Sequence, residues 1–323
     1  MEFFHDVNVN WLGWKWYFLA FSLVFSVAGL TKMGWNWSHI GTPVPLSVDF
    51  RGGTEVQVQF SQRPDIDAIR TAVDDAGITD ARIQNYGEPG TNEVLISLPE
   101  QKNEGSLDAG RQQIVDALRT HYNNYFSASG VKVDIVGPTV GKQLERQAIL
   151  ATLYSMLGML VYLWFRFQFI YGVAAVFACF HDTLITVGAF ALTNREISLT
   201  VIAAILTLVG YSMNDTIVVF DRVRENLRLS RRESLPDLVN RSINQTLSRT
   251  VLTSGLTFLT VLSLFIFGGQ VLNGFSFALV VGILIGTYSS IAVAAPMLVA
   301  WQEWRASKGK ATSLPAAKQR SKA

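Results

Sequence analysis

Six stretches of apolar residues, each close to bilayer length, decide what this chain can fold into. A helix that crosses the hydrocarbon core needs about 20 mostly apolar residues, because its backbone polar groups must be satisfied within the segment. Trp16–Thr31 lies between Lys15 and Lys32, and Gln147–Phe165 carries no charge. Phe167–Leu192 contains His181 and Asp182, and Ile197–Phe220 contains Asp215. Leu247–Phe267 has Arg249 near its start, and Val271–Trp301 is long enough to tilt. The composition agrees: 16% of residues are charged, against about 25% in a soluble domain. Lys+Arg 27 against Asp+Glu 25 leaves a net charge of +2. That balance is too even for a phosphate-backbone binder, so no nucleic-acid partner is expected. The lone Cys179 excludes an intrachain disulfide. His5, His39, His121 and His181 are too scattered for a Cys/His zinc cluster, and no metal or cofactor is expected.

A cleaved signal peptide is the alternative reading of the first stretch. One basic residue, Lys15, precedes it and no clear small-x-small cleavage site follows, so a retained span is expected. Orientation follows from Lys and Arg in short loops. The Asp221–Ser248 loop carries Arg222, Arg224, Arg228, Arg231, Arg232 and Arg241, and the C-terminal tail is also basic. The turns Thr193–Glu196 and Gly268–Gln270 offer only Arg195. Six spans put both basic regions on one side, so both termini are expected in the cytoplasm. Trp11, Trp14, Trp16, Trp35, Trp37, Trp164, Trp301 and Trp304 all fall at expected membrane edges, where an amphipathic ring prefers to lie.

One large polar segment, Gly34–Lys142, remains between spans one and two, and the topology puts it outside the cytoplasm. Its pattern predicts strands at Thr54–Phe60, Ala81–Tyr86, Glu93–Leu98 and Val131–Val136, where apolar residues alternate. It predicts helices at Pro64–Ala76 and Ser106–Tyr122, where apolar residues recur on one side. The order β-α-β-β-α-β is that of a ferredoxin-like α+β domain. Arg51-Gly52-Gly53, just before the first strand, reads as a turn or bulge, because no P-loop lysine pattern follows. The expected organisation is therefore an N-terminus and first helix over 1–33 and an extracytoplasmic domain over 34–142. Helices two to six follow over 143–305, with a basic tail over 306–323.

Asp215 is the most informative residue. Asp221 and Arg222 mark the interface, so Asp215 lies about 9 Å inside it at a rise of about 1.5 Å per residue. A carboxylate there costs roughly 2.5–3.5 kcal/mol. It is either a proton- or ion-pathway group or a near-interface carboxylate that snorkels. Arg249, one to two turns inside the antiparallel fifth span, is its candidate partner; otherwise it belongs to the cytoplasmic basic cluster. Thr253 follows Arg249 by one helical turn and could hydrogen-bond Asp215. Asp182, mid-span, is either a second relay group or a static anchor between helices. His181 beside it could titrate near neutrality or be a satisfied core residue. Small residues, Gly282 and Gly286 among them, mark the sixth span for close helix packing. Nothing resembles a hydrolytic triad, so no enzyme activity is expected.

Five ordered motifs now stand out: VDFRGGTEVQVQF, VGPTVGKQL, HDTLITVGAF, VGYSMNDTIVVFDRVREN and SRTVLTSGLTFLTVL. Together they resemble the SecF family of protein-translocase subunits over roughly Trp11–Pro296. The resemblance implies a half-transporter related to the RND type, paired with SecD beside the SecYEG channel in the bacterial inner membrane. YajC or YidC are implied alongside. The family uses the proton motive force to assist export of a translocating preprotein after the SecA-driven step. The family's intramembrane Asp matches Asp215, and its membrane Arg and following Thr match Arg249 and Thr253. A proton-driven small-molecule efflux component of RND type is the alternative. Such pumps resemble twelve-span chains with two large loops, whereas this chain has six spans and one.

Overall fold

In a computed structural model, residues 8–62, 64–78, 81–86, 92–98, 112, 114–120, 131–167, 169–229 and 233–308 are described. The long apolar stretches become helices: α1 (Lys15–Ile40), α5 (Pro138–Arg166), α6 (Phe169–Leu192), α7 (Leu199–Leu229), α8 (Leu235–Phe267) and α9 (Gly269–Ser289). A π-helical turn, Ser290–Ala294, joins α9 to α10 (Ala295–Ser307), and together they make the sixth span. Six helical stretches are long and apolar enough to cross a membrane among the described residues.

The helices outrun the expected spans. α1 continues past Thr31 to Ile40, where Gly41 closes it in the left-handed conformation (φ 73°), so residues 34–40 are helix rather than domain. The expected cytoplasmic loop Asp221–Ser248 is mostly helical, because α7 runs on to Leu229 and α8 starts at Leu235. The reason is apolar patterning beyond the bilayer: Val223, Leu227, Leu238, Val239 and Ile243 pack into one buried cluster. Ser234 starts α8 by accepting the N–H of Asp237 at 3.3 Å.

α6, α7 and α9 form the buried heart of the bundle; α8 packs on α7 and α9, and α1 and α5 pack on α6. Gly29 of α1 and Gly188 of α6 let two backbones nearly touch: a Cβ on Gly188 would sit 3.0 Å from Gly29 Cα. Close approach through small residues is how helices associate where lipid supplies no hydrophobic drive. Gly286 of α9 likewise faces Ser212 of α7.

The polar segment folds as β1 (Gly53–Gln59), α3 (Ile66–Asp75), β2 (Arg82–Tyr86), β3 (Glu93–Leu98), a helix α4 over 114–120, and β4 (Lys132–Val136). A short α2 (Val48–Arg51) precedes β1. The sheet order is β2-β3-β1-β4, antiparallel throughout, which is the ferredoxin-like arrangement read from the sequence. The remainder of the second helix expected over Ser106–Tyr122 lies outside the described residues. Alternation puts Val56 opposite Ile96 and Val58 opposite Val94, and all four side chains are fully buried. Ile69 and Val73 of α3 with Ile114 and Leu118 of α4 complete this core.

Candidate site in the helix bundle

α7 and α8 run antiparallel, and polar side chains hold their register. Near the helix ends Arg222 Nε–H donates to Gln245 Oε1 at 2.7 Å, and Asn226 Nδ2–H donates to Ser242 Oγ at 2.8 Å. Carried inward, the same register brings Asp215 to Ser254. Asp215 is 2% exposed, and its Oδ2 accepts Ser254 Oγ–H at 2.7 Å. The buried face of α8 is a line of hydroxyls one turn apart: Ser242, Thr246, Thr250 and Ser254.

Arg249 and Thr253 lie on the neighbouring, exposed face of α8. The expected contact of Thr253 with Asp215 is not formed, because its hydroxyl donates to the carbonyls of Arg249 and Thr250 at 3.0 and 3.1 Å. A one-residue step turns the side chain by about 100° around the helix, so Ser254 takes the carboxylate instead. No ion pair links Arg249 to Asp215 among the described residues, although its charge lies within Coulombic range.

Asp182 is 1% exposed and joins three helices. Its Oδ2 accepts Ser212 Oγ–H of α7 at 2.5 Å and Ser289 Oγ–H of α9 at 2.7 Å. His181 Nδ1 lies 3.0 Å from Oδ1. Ser289 ends α9 where the π turn begins, and Ser212 lies three residues before Asp215, so the two carboxylates share one polar seam. The sequence marks Ser289 just as one of the small packing residues of the sixth span, and it does not single out Ser212 or Ser254, although Ser254 continues the one-turn spacing that starts at Ser242. Among the described residues no group of three metal-ligating side chains forms.

The basic ends are also resolved. The N-terminal segment is strapped across the start of α8: Trp11 N–H donates to Asn240 Oδ1 at 2.7 Å, and Asn244 Nδ2–H donates to Val9 O at 2.9 Å. Residues 9–11 therefore sit at the same end of the bundle as Arg222, Arg224 and Arg241. Arg195, at the opposite end, donates through Nη1 to Asn273 Oδ1 and lies 4.5 Å from the Phe277 ring centroid. Burial there lowers the pKa of its guanidinium from the ordinary arginine value.

These features define a multi-pass membrane protein with one ferredoxin-like domain between its first two spans and two buried carboxylates in its bundle. The family model described as protein export membrane protein SecD/SecF, C-terminal, matches residues 116–304, and the SecD/SecF GG motif matches residues 40–62. A protein translocase subunit SecF from Koribacter versatilis is 55% identical, covering 96% of this chain and 96% of its own length. One from Calditerrivibrio nitroreducens is 41% identical over 91% of this chain. The crystal structure of SecDF, a translocon-associated membrane protein from Thermus thermophilus, matches at 36% identity with a TM-score of 0.79 over 92% of this chain. The chain spans 39% of that SecDF chain. This chain belongs to the SecD/SecF family of protein export membrane proteins, and its role is in Sec-dependent protein export.

Proposed function

We propose that this chain couples proton movement across the bacterial inner membrane to polypeptide export. It does so with a SecD partner beside the SecYEG channel, with YajC or YidC as further partners, and with both termini in the cytoplasm. The observation that carries the reading is Asp215, a buried carboxylate bonded across a helix interface by Ser254 and within Coulombic range of Arg249. A carboxylate at that depth binds a proton when desolvated and releases it when a cation approaches. Arg249, on the exposed face of α8, supplies that cation when a partner subunit or a helix rotation brings it onto Asp215. Thr253 shares that face with Arg249 and takes part in the partner contact rather than in direct bonding to Asp215. Asp182 acts as the anchor that holds α7 between α6 and α9 while Asp215 changes charge. The ferredoxin-like domain holds the emerging polypeptide on the far side. The chain contributes transport coupling, with no covalent catalysis of its own.

The test is preprotein export in cells depleted of this protein and complemented at matched abundance. Wild type should restore export, whereas Asp215→Asn should assemble normally and lose the proton-dependent part. Arg249→Met should weaken the same part. Full export with Asp215→Asn would remove the proton-coupling role and leave the export role standing.

A further inference from the structure

The motif VDFRGG sits at the joint between the extramembrane domain and the helix that carries Asp215. Asp49 Oδ2 accepts the backbone N–H of Leu199 at 2.9 Å and the hydroxyl of Ser47 at 3.1 Å. Leu199 is the first residue of α7. Its N–H is one of the donors that a helix start leaves without an intrahelical acceptor, and a carboxylate there also meets the positive end of the helix dipole. The cap that α7 draws from its own flanking residue is looser, with Ser198 Oγ accepting from Val201 N–H at 3.4 Å.

The segment around Asp49 is held on every side. Ser47 N–H donates to Ile197 O at 3.0 Å, and Ile197 N–H donates to Pro45 O at 2.9 Å, a short parallel bridge onto the α6–α7 turn. α2 passes into β1 through Gly52 and Gly53, whose φ values of 74° and 132° suit only glycine. Gly141 of α5 touches the same point: a Cβ there would lie 2.7 Å from Phe50 O. β1 pairs with β4, and β4 leads into α5. Both roots of the domain therefore converge on α2, and Asp49 ties α2 to α7. From Leu199, α7 runs unbroken past Asp215, which lies about 24 Å along it.

We propose that Asp49 is a positioning residue that keys α7 to the root of the extramembrane domain, so that displacement of the domain is passed along α7 to Asp215. The transmitted displacement moves Asp215 relative to Ser254 and Arg249. This rests on the proton-coupling reading of Asp215, and two separate readouts test it.

Hydrogen–deuterium exchange is measured on the full-length protein in membranes for wild type, Asp49→Ala and Asp49→Asn, and the three are compared in proton-dependent export at matched abundance. Losing a helix cap costs enough that Asp49→Ala should speed exchange in the first turn of α7 about fivefold. Exchange in α9 should stay unchanged. Proton-dependent export should fall several-fold with ATP-driven export intact. Asp49→Asn, whose amide oxygen still accepts the Leu199 N–H, should recover most of both. Unchanged exchange at α7 in Asp49→Ala would overturn the key. So would full proton-dependent export by Asp49→Ala in membranes where Asp215→Asn is defective. If Asp215→Asn is itself fully active, the proton-coupling reading has failed, and the exchange result alone judges the contact at Asp49.

Discussion

Ser254 of α8 hydrogen-bonds Asp215 of α7 at 2.7 Å, while the hydroxyl of its neighbour Thr253 donates to the Arg249 and Thr250 carbonyls of its own helix. The two hydroxyls therefore do different work. A hydrogen bond to a charged group is worth about 1.5–3 kcal/mol. Ser254→Ala should lower proton-dependent export about tenfold, and Ser254→Thr, which keeps the hydroxyl, should recover part of it. Thr253→Ala leaves the Asp215–Ser254 bond in place, so its loss of proton-dependent export should be smaller than that of Ser254→Ala. Export assays with the three variants at matched abundance check this ordering.

Asp182 binds hydroxyls from α7 and α9 at once. As an anchor it needs acceptor oxygens rather than a titrating proton. Asp182→Asn should therefore keep proton-dependent export within about twofold of wild type. Asp182→Leu should lower thermal stability in detergent by about 1–3 kcal/mol, the cost of leaving buried hydroxyls unpaired. Loss of proton-dependent export in a well-folded Asp182→Asn protein would assign it to the relay instead.

The Gly29–Gly188 crossing predicts a steric effect confined to α1. Gly188→Leu should push α1 away from α6, and overpacking of this kind costs about 1–3 kcal/mol. The readout is a lower unfolding temperature together with new protease sensitivity at the end of α1. Gly188→Ala should show the same change at smaller size, since its Cβ meets Gly29 Cα at 3.0 Å.

Ile96, on the central strand β3, is fully buried between Val56 of β1 and Ile83 of the edge strand β2. Ile96→Ala should destabilise the extramembrane domain by about 2–5 kcal/mol through the cavity it leaves. Limited proteolysis should then cut the domain while the membrane helices stay intact.

Much of this was legible in the residues. Bilayer-length apolar runs marked all six spans, and alternation such as TEVQVQF marked strands whose core face is Val56 and Val58. Asp215 announced itself by depth alone. The helix ends beyond the bilayer were missed, because a hydropathy count stops at the first charges of Asp221–Arg222. Val223, Leu227 and Ile243 carry the apolar face onward for one helix to pack on the other.

What the sequence determined by itself was local and periodic: which segments span, which strands alternate, which charge is buried. Those properties depend on a few neighbouring residues and a period of 2 or 3.6. The tertiary structure decided which hydroxyl meets Asp215, where Arg249 faces, and what Asp49 holds. Each of these depends on how a helix is rotated and set against another, and a single residue is worth about 100° of that rotation. No spacing along the chain fixes it. The packing of α7 and α8 with α9, and of α2 on α5 and α7, does.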